Sequence, residues 1–170
     1  RTEVAAQGLL LKVACIEGDD LTERAGDFEN EVESDTGLAF PSKDSISSIN
    51  AYLGAFPIAA ALNAGADIVI TGRCVDSAVT LGACVHSFGW KNNDLDRLAA
   101  GSLAGHILEC GPQSTGGNFT DWRSSGNIAE IGYPVAEIDP EGTTVLTKPQ
   151  GTGGLVSPAT VGEQMLYETG

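Results

Sequence analysis

The chain has 170 residues, 23 Asp and Glu against 9 Lys and Arg, and a formal net charge of −14. Nucleic acid and anionic membrane surfaces are therefore excluded as partners on electrostatic grounds. At 42% hydrophobic and 19% charged residues, the composition is that of a folded chain, and its length fits one domain, 1–170, able to bury about two thirds of its unfolded surface.

In chain order, "RTEVAAQG" reads as the end of a helix closed by Gly8, which points to a segment ahead of Arg1. "LKVACIEGDD" is an apolar run ending in Gly-Asp-Asp, the pattern of a strand buried on both faces, and "ADIVITGRCVD" repeats it. Between them, "INAYLGAFPIAAALNAG" predicts a helix after Pro57, closed by Gly65, so strand, crossover helix and strand form a βαβ unit. The polar stretch from Thr22 to Ser48 is too long for an ordinary connection; it is either a lid or an excursion with structure of its own.

A helix follows with Val75, Ala78, Leu81, Val85 and Phe88 near one face and Gly89 at its end. A second runs from Asp94 to about Cys110, with Leu95, Leu98, Ala99 and Leu103 on its expected buried stripe and Ser102, His106 and Glu109 on the same stripe. "YPVAEID" and "TTVLTK" flank a hairpin turn at Pro140-Glu141-Gly142, and Ser157-Pro158 opens a last helix as cap and first residue. The fold class is α/β: a parallel-sheet, three-layer arrangement with βαβ units and an appended β-hairpin.

Three groups of residues could carry chemistry. Ligands collect outside the carboxyl ends of parallel strands, which singles out Thr71, Gly72 and Arg73, with Arg73 as a clamp for carboxylate or phosphate. Asp19, Asp20 and Asp76 at these ends either hold a divalent metal, act as bases or cap the following helices. His106 and Glu109 are neighbours at i and i+3, forming either a structural ion pair or an acid/base pair. Two glycine loops, with Gly116, Gly117 and Asn118 in one and Gly153 and Gly154 in the other, either turn tightly or offer amides to an anion.

Neither loop matches the nucleoside-triphosphate or dinucleotide fingerprints. Cys15, Cys74, Cys84 and Cys110 have no C-x-x-C spacing and read as reduced thiols, outside any zinc cage or disulfide framework. Asn118-Phe119-Thr120 matches a glycosylation acceptor but has no secretory leader beside it, and no apolar stretch is long enough to cross a bilayer.

"INAYLGAFPIAAALNAGADIVITGRCVDSAVTLG", "LAAGSLAGHILECGPQSTGGNFTDW", "IGYPVAEI" and "TKPQGTGGLVSPATVGEQMLYE", in that order, resemble the acyclic terpene utilisation protein AtuA family. The resemblance implies the middle of a larger N-terminal domain whose opening strand is missing, so that a preceding segment or a homo-oligomeric partner completes the crevice. It also implies a cytoplasmic protein of acyclic terpene and branched-chain acid catabolism, encoded beside enzymes that work through acyl-CoA intermediates. The expected ligand is a small-molecule acid or a coenzyme A thioester taken as substrate. The expected activity is hydration, C–C cleavage or thioester hydrolysis, with a non-catalytic binding or assembly subunit as the alternative. His106, Glu109 and Asp76 are the expected catalytic residues; Thr71, Gly72, Arg73, Gly116, Gly117, Asn118, Gly153 and Gly154 are the expected substrate contacts.

Overall fold

Helix α1 (Thr2–Ala6) stops where the sequence places its end, at Gly8, whose φ of 67° is a left-handed turn that glycine adopts without steric cost. The computed structural model describes residues 2–168. Two compact units divide the chain, the first ending at Val75 and the second beginning at Asp76.

In the first unit, β1 (Val13–Ile16) and β2 (Ile68–Thr71) pair in parallel, Val13 opposite Ile68 and Ile16 opposite Thr71. Helix α2 (Ala55–Asn63) is the crossover between them and packs on both strands, burying Ala55, Ile58 and Ala59. This is the expected βαβ unit. Burial on both strand faces is not observed: Cys15 is exposed and Ile70 keeps 55% of its surface in water. Strand alternation turns Ile68 and Ile70 away from α2, and an apolar run states which residues tolerate burial without supplying a cover.

Beyond the last β1–β2 pair, residues 49–53 run between the two chain segments that leave the strands. On one side Leu21 N–H donates to Ile49 O (2.9 Å) and Ala51 N–H to Asp19 O (2.8 Å). On the other, Leu53 N–H donates to Arg73 O (3.1 Å) and Val75 N–H to Leu53 O (2.9 Å). The long stretch before this wedge is an excursion with structure of its own. It carries two 3-10 turns (Thr22–Phe28 and Lys43–Ser45), an isolated pairing of Val32 with Ala39, and a Phe28–Phe40 ring contact at 5.8 Å.

The second unit contains α3 (Ala78–Phe88), α4 (Leu95–Glu109), the antiparallel hairpin β3 (Val135–Ile138) and β4 (Thr144–Thr147), and α5 (Pro158–Leu166). Gly89 ends α3 at φ 67°, and Ser157 caps α5 in a reciprocal capping box with Thr160. The turn of the hairpin is held by Asp139, whose Oδ1 accepts from the amides of Glu141 and Thr143, both at 2.9 Å. Among the described residues, no helix is long and apolar enough to cross a membrane.

The buried face of α4 differs from the expected leucine stripe. Leu95 is 70% exposed and Leu103 also faces water, while Gly101, Ala104, Gly105 and Ile107 are buried. The reason is close helix approach: a Cβ on Gly105 would stand 2.5 Å from Ser77 O, so only glycine lets α4 lie this near the start of α3. Counting large apolar residues overlooks a face built from small ones.

Candidate active site

The last turn of α4 carries both groups of the expected pair on one side of the helix. His106 Nδ1 lies 3.3 Å from Glu109 Oε1, with side chains only 19% and 15% exposed. The other ring nitrogen, Nε2, is 2.9 Å from the main-chain carbonyl of Gln164 on α5 and donates to it. Gln164 Nε2 donates in return to His106 O at 3.0 Å. One histidine is thus held by two helices.

Glu109 does not ionise as an ordinary glutamate. Burial, and then the neighbouring Asp76 carboxylate, push its pKa up, against the opposing pull of His106. The Asp76 carboxyl lies close enough to that of Glu109 for a hydrogen bond, and this contact too favours the protonated form of Glu109. Glu168, just past α5 and in a left-handed conformation at φ 58°, completes the group. Oxygens of Asp76, Glu109 and Glu168 lie within 4.8 Å of one another, a spacing at which three carboxylates can hold a proton in common or take a divalent cation. Cys110 adjoins them, and its thiol pKa is raised by burial first and by these acids in addition, against an opposing pull from the Gln164 side chain, which leaves it a poor nucleophile.

The two glycine loops meet each other. Leu155 N–H donates to Thr115 O (2.8 Å), Gly154 N–H to Ser125 O (2.9 Å) and Gly153 N–H to Glu130 O (2.8 Å). A Cβ on Gly153 would fall 1.8 Å from Asn127 O, so what this backbone must approach closely is another piece of backbone. Gly116 and Gly117 donate to Gln113 O and Pro112 O at 3.0 and 2.9 Å. The amides of Gly116 and Gly117 are thus spent within their own turn and those of Gly153 and Gly154 on the 125–130 segment, Leu155 joins the second loop to Thr115 at the start of the first, and Asn118 sits exposed at the tip of the first. A groove of about 280 Å³ lies along α4 against β4 and α5, bordered by Leu103, Ile107, Leu146 and Val161 and not by His106 or Glu109.

In the first unit, Asp19 and Asp20 serve the backbone. Asp19 Oδ2 accepts from the Arg73 amide at 2.7 Å and from Asn50 Nδ2 at 3.1 Å, and its pKa is lowered, chiefly by the Arg73 amide. That carboxylate lies so close over Gly72 that a Cβ there would meet it at 1.8 Å. Asp20 Oδ1 accepts from Thr22 N–H at 2.9 Å, an Asx-type turn just ahead of the Thr22–Phe28 3-10 segment, whose N-cap position is Leu21 and takes no side-chain bond. Arg73 stacks on the Tyr52 ring at 4.5 Å and donates to its hydroxyl at 3.0 Å, while Thr71 Oγ1 lies 3.6 Å from Cys74 Sγ.

Sequence reasoning missed Glu168, Gln164 and Cys110. Gln164 offered only its spacing, four residues after Thr160 on a short helix; that both are buried polar side chains is visible in the structure alone. Glu168 gave no signal beyond being an acid after the last helix.

No curated protein and no solved structure matches the chain. The model of the acyclic terpene utilisation family protein AtuA matches residues 1–170, and the chain belongs to that family, whose role is in acyclic terpene utilisation.

Proposed function

We propose that the protein is an enzyme of acyclic terpene and branched-chain acid breakdown that adds water to, or removes it from, a carboxylated acyl-CoA. Glu109 is the proton donor and acceptor, Asp76 shares its proton, and His106 sets its charge. The single observation that carries this reading is Glu109 itself: a largely buried carboxyl with a raised pKa, in contact with an imidazole on one side and a carboxylate on the other. A general acid needs its pKa moved towards neutrality, and burial beside a like charge does that.

Hydration is favoured over thioester hydrolysis because Cys110, the thiol beside the pair, has its pKa raised and not lowered. C–C cleavage would use the same proton relay on a different bond. Within the first unit, Arg73, with Thr71 and Gly72 beside it, is proposed in its own right to hold a carboxylate or phosphate, and the cytoplasm is the proposed compartment. A second copy of the chain is the proposed partner that completes the site.

The test is Glu109→Gln, which keeps the shape and removes the titrating group. Turnover of carboxylated enoyl-CoA substrates falls by about 10²–10⁴ while their affinity, read by thermal shift, is retained. Unchanged turnover overturns the reading. A second reading, a non-catalytic binding or assembly subunit, is favoured by one observation: both ring nitrogens of His106 already have protein partners. Under it the wild-type chain binds the ligand and turns over none, and His106→Ala leaves affinity intact.

A further inference from the structure

We infer that Gln164 is a positioning residue for the acid/base pair: its main-chain carbonyl fixes His106 as the Nε2–H tautomer, and its side-chain amide locks that carbonyl in place by binding back to His106 O. This rests on the reading of Glu109 as the proton carrier.

The argument starts from what a carbonyl can do. It accepts and never donates, so the 2.9 Å contact between Gln164 O and His106 Nε2 requires the proton on Nε2. Nδ1 of the neutral ring is then an acceptor, and it faces Glu109 at 3.3 Å. Only one ring nitrogen is left to exchange a proton, and it is the one beside the acid. A ring free to choose its tautomer would present N–H to Glu109 part of the time and block that exchange.

The side chain of Gln164 supports the same role. It is completely buried, and while Nε2 bonds His106 O at 3.0 Å, Oε1 has no hydrogen-bond partner among the described residues. A buried, unpaired amide oxygen lowers stability, and an apolar side chain of the same size would remove that penalty. What the apolar side chain would also remove is the bond to His106 O. The two bonds together form a reciprocal clasp between α4 and α5, joining residues 58 apart in the chain. Ring and backbone of one histidine are held by one glutamine.

The experiment is long-range ¹H–¹⁵N correlation of the imidazoles in the whole chain, without substrate and with the rings neutral. There are two histidines, and His86→Gln identifies which signal is His106. The expected result is an Nε2–H tautomer for His106, turning into a mixture of tautomers in Gln164→Met. An Nδ1–H tautomer or an averaged ring in the wild type overturns the proposal, and so does a Gln164→Met spectrum identical to wild type. Should Gln164→Met not fold, the wild-type tautomer alone decides. Because no turnover is measured, a wrong tautomer leaves Glu109→Gln to be judged on its own, and a catalytically silent protein still reports its tautomer.

Discussion

Asp19 in the first unit and Glu109 in the second are both carboxyl groups at the ends of regular elements, and their surroundings push them in opposite directions. Asp19 accepts from the Arg73 amide and from Asn50, so its charged form is favoured and its pKa falls. Glu109 has lost water and gained Asp76, so its neutral form is favoured and its pKa rises, although His106 pulls the other way. Glu33 in the first unit repeats the Asp19 pattern, its pKa lowered first by the hydroxyl of Thr36 and further by the amides of Asp35 and Thr36. The difference separates two uses of one functional group. Asp19 and Glu33 in the first unit, like Asp139 at the hairpin turn of the second, tie down backbone, whereas Glu109 is kept able to exchange a proton.

The contrast can be broken most severely at the backbone. Gly153→Ala pushes a methyl into Asn127 O, while Gly26→Ala in the first unit meets nothing within 4 Å. The expected loss in urea denaturation is about 3 kcal/mol for the former and within about 0.5 kcal/mol for the latter. Equal effects would show that the second unit is no more tightly built than the first.

Stability against pH sharpens the comparison. Asp19 has a folded pKa below its ordinary 3.8, so it contributes stability that is complete above that value and is lost as pH falls through the folded one. Glu109 has a folded pKa above its ordinary 4.5, so its contribution is complete below that value and is lost as pH rises through the folded one. Asp19→Asn therefore flattens the acid limb of a melting-temperature profile, and Glu109→Gln flattens the decline on the other side. Profiles that change on the same limb would erase the distinction. The smallest effect concerns caps: α5 starts at Ser157 with its capping box, and α2 starts at Gly54 with no side-chain bond. Ser157→Ala costs about 1 kcal/mol, and Gly54→Ser gains only about 0.3 kcal/mol, both read from thermal melts.

The parts of the fold that were legible in the sequence are those with a local cause. Gly8 and Gly89 end helices because a left-handed residue cannot continue them, and Ser157-Pro158 starts one because cap and first residue are adjacent in the chain. The β1–α2–β2 unit followed from two apolar runs with a helix between them. What was misread depends on neighbours distant in sequence. The buried face of α4 is set by how near α3 comes at Gly105, and the bare side of Ile70 by where α2 lies.

The site divides in the same way. His106 and Glu109 could be paired from helical spacing alone, but Asp76 and Glu168 join them from 33 and 59 positions away from Glu109, and the glutamine that holds the ring comes from another helix. The glycines of the two loops were visible as places of close approach, while the identity of what approaches was not.

The wedge formed by residues 49–53 has a consequence for engineering. Because Leu21 is bonded to Ile49 and Asp19 to Ala51, the acidic excursion leaves and returns at one doorway. Closing a flexible loop there grows only logarithmically with its length, about 0.6 kcal/mol for each doubling. The doorway is thus an address where foreign sequence can be spliced in and the parallel strands behind it will register little of the change.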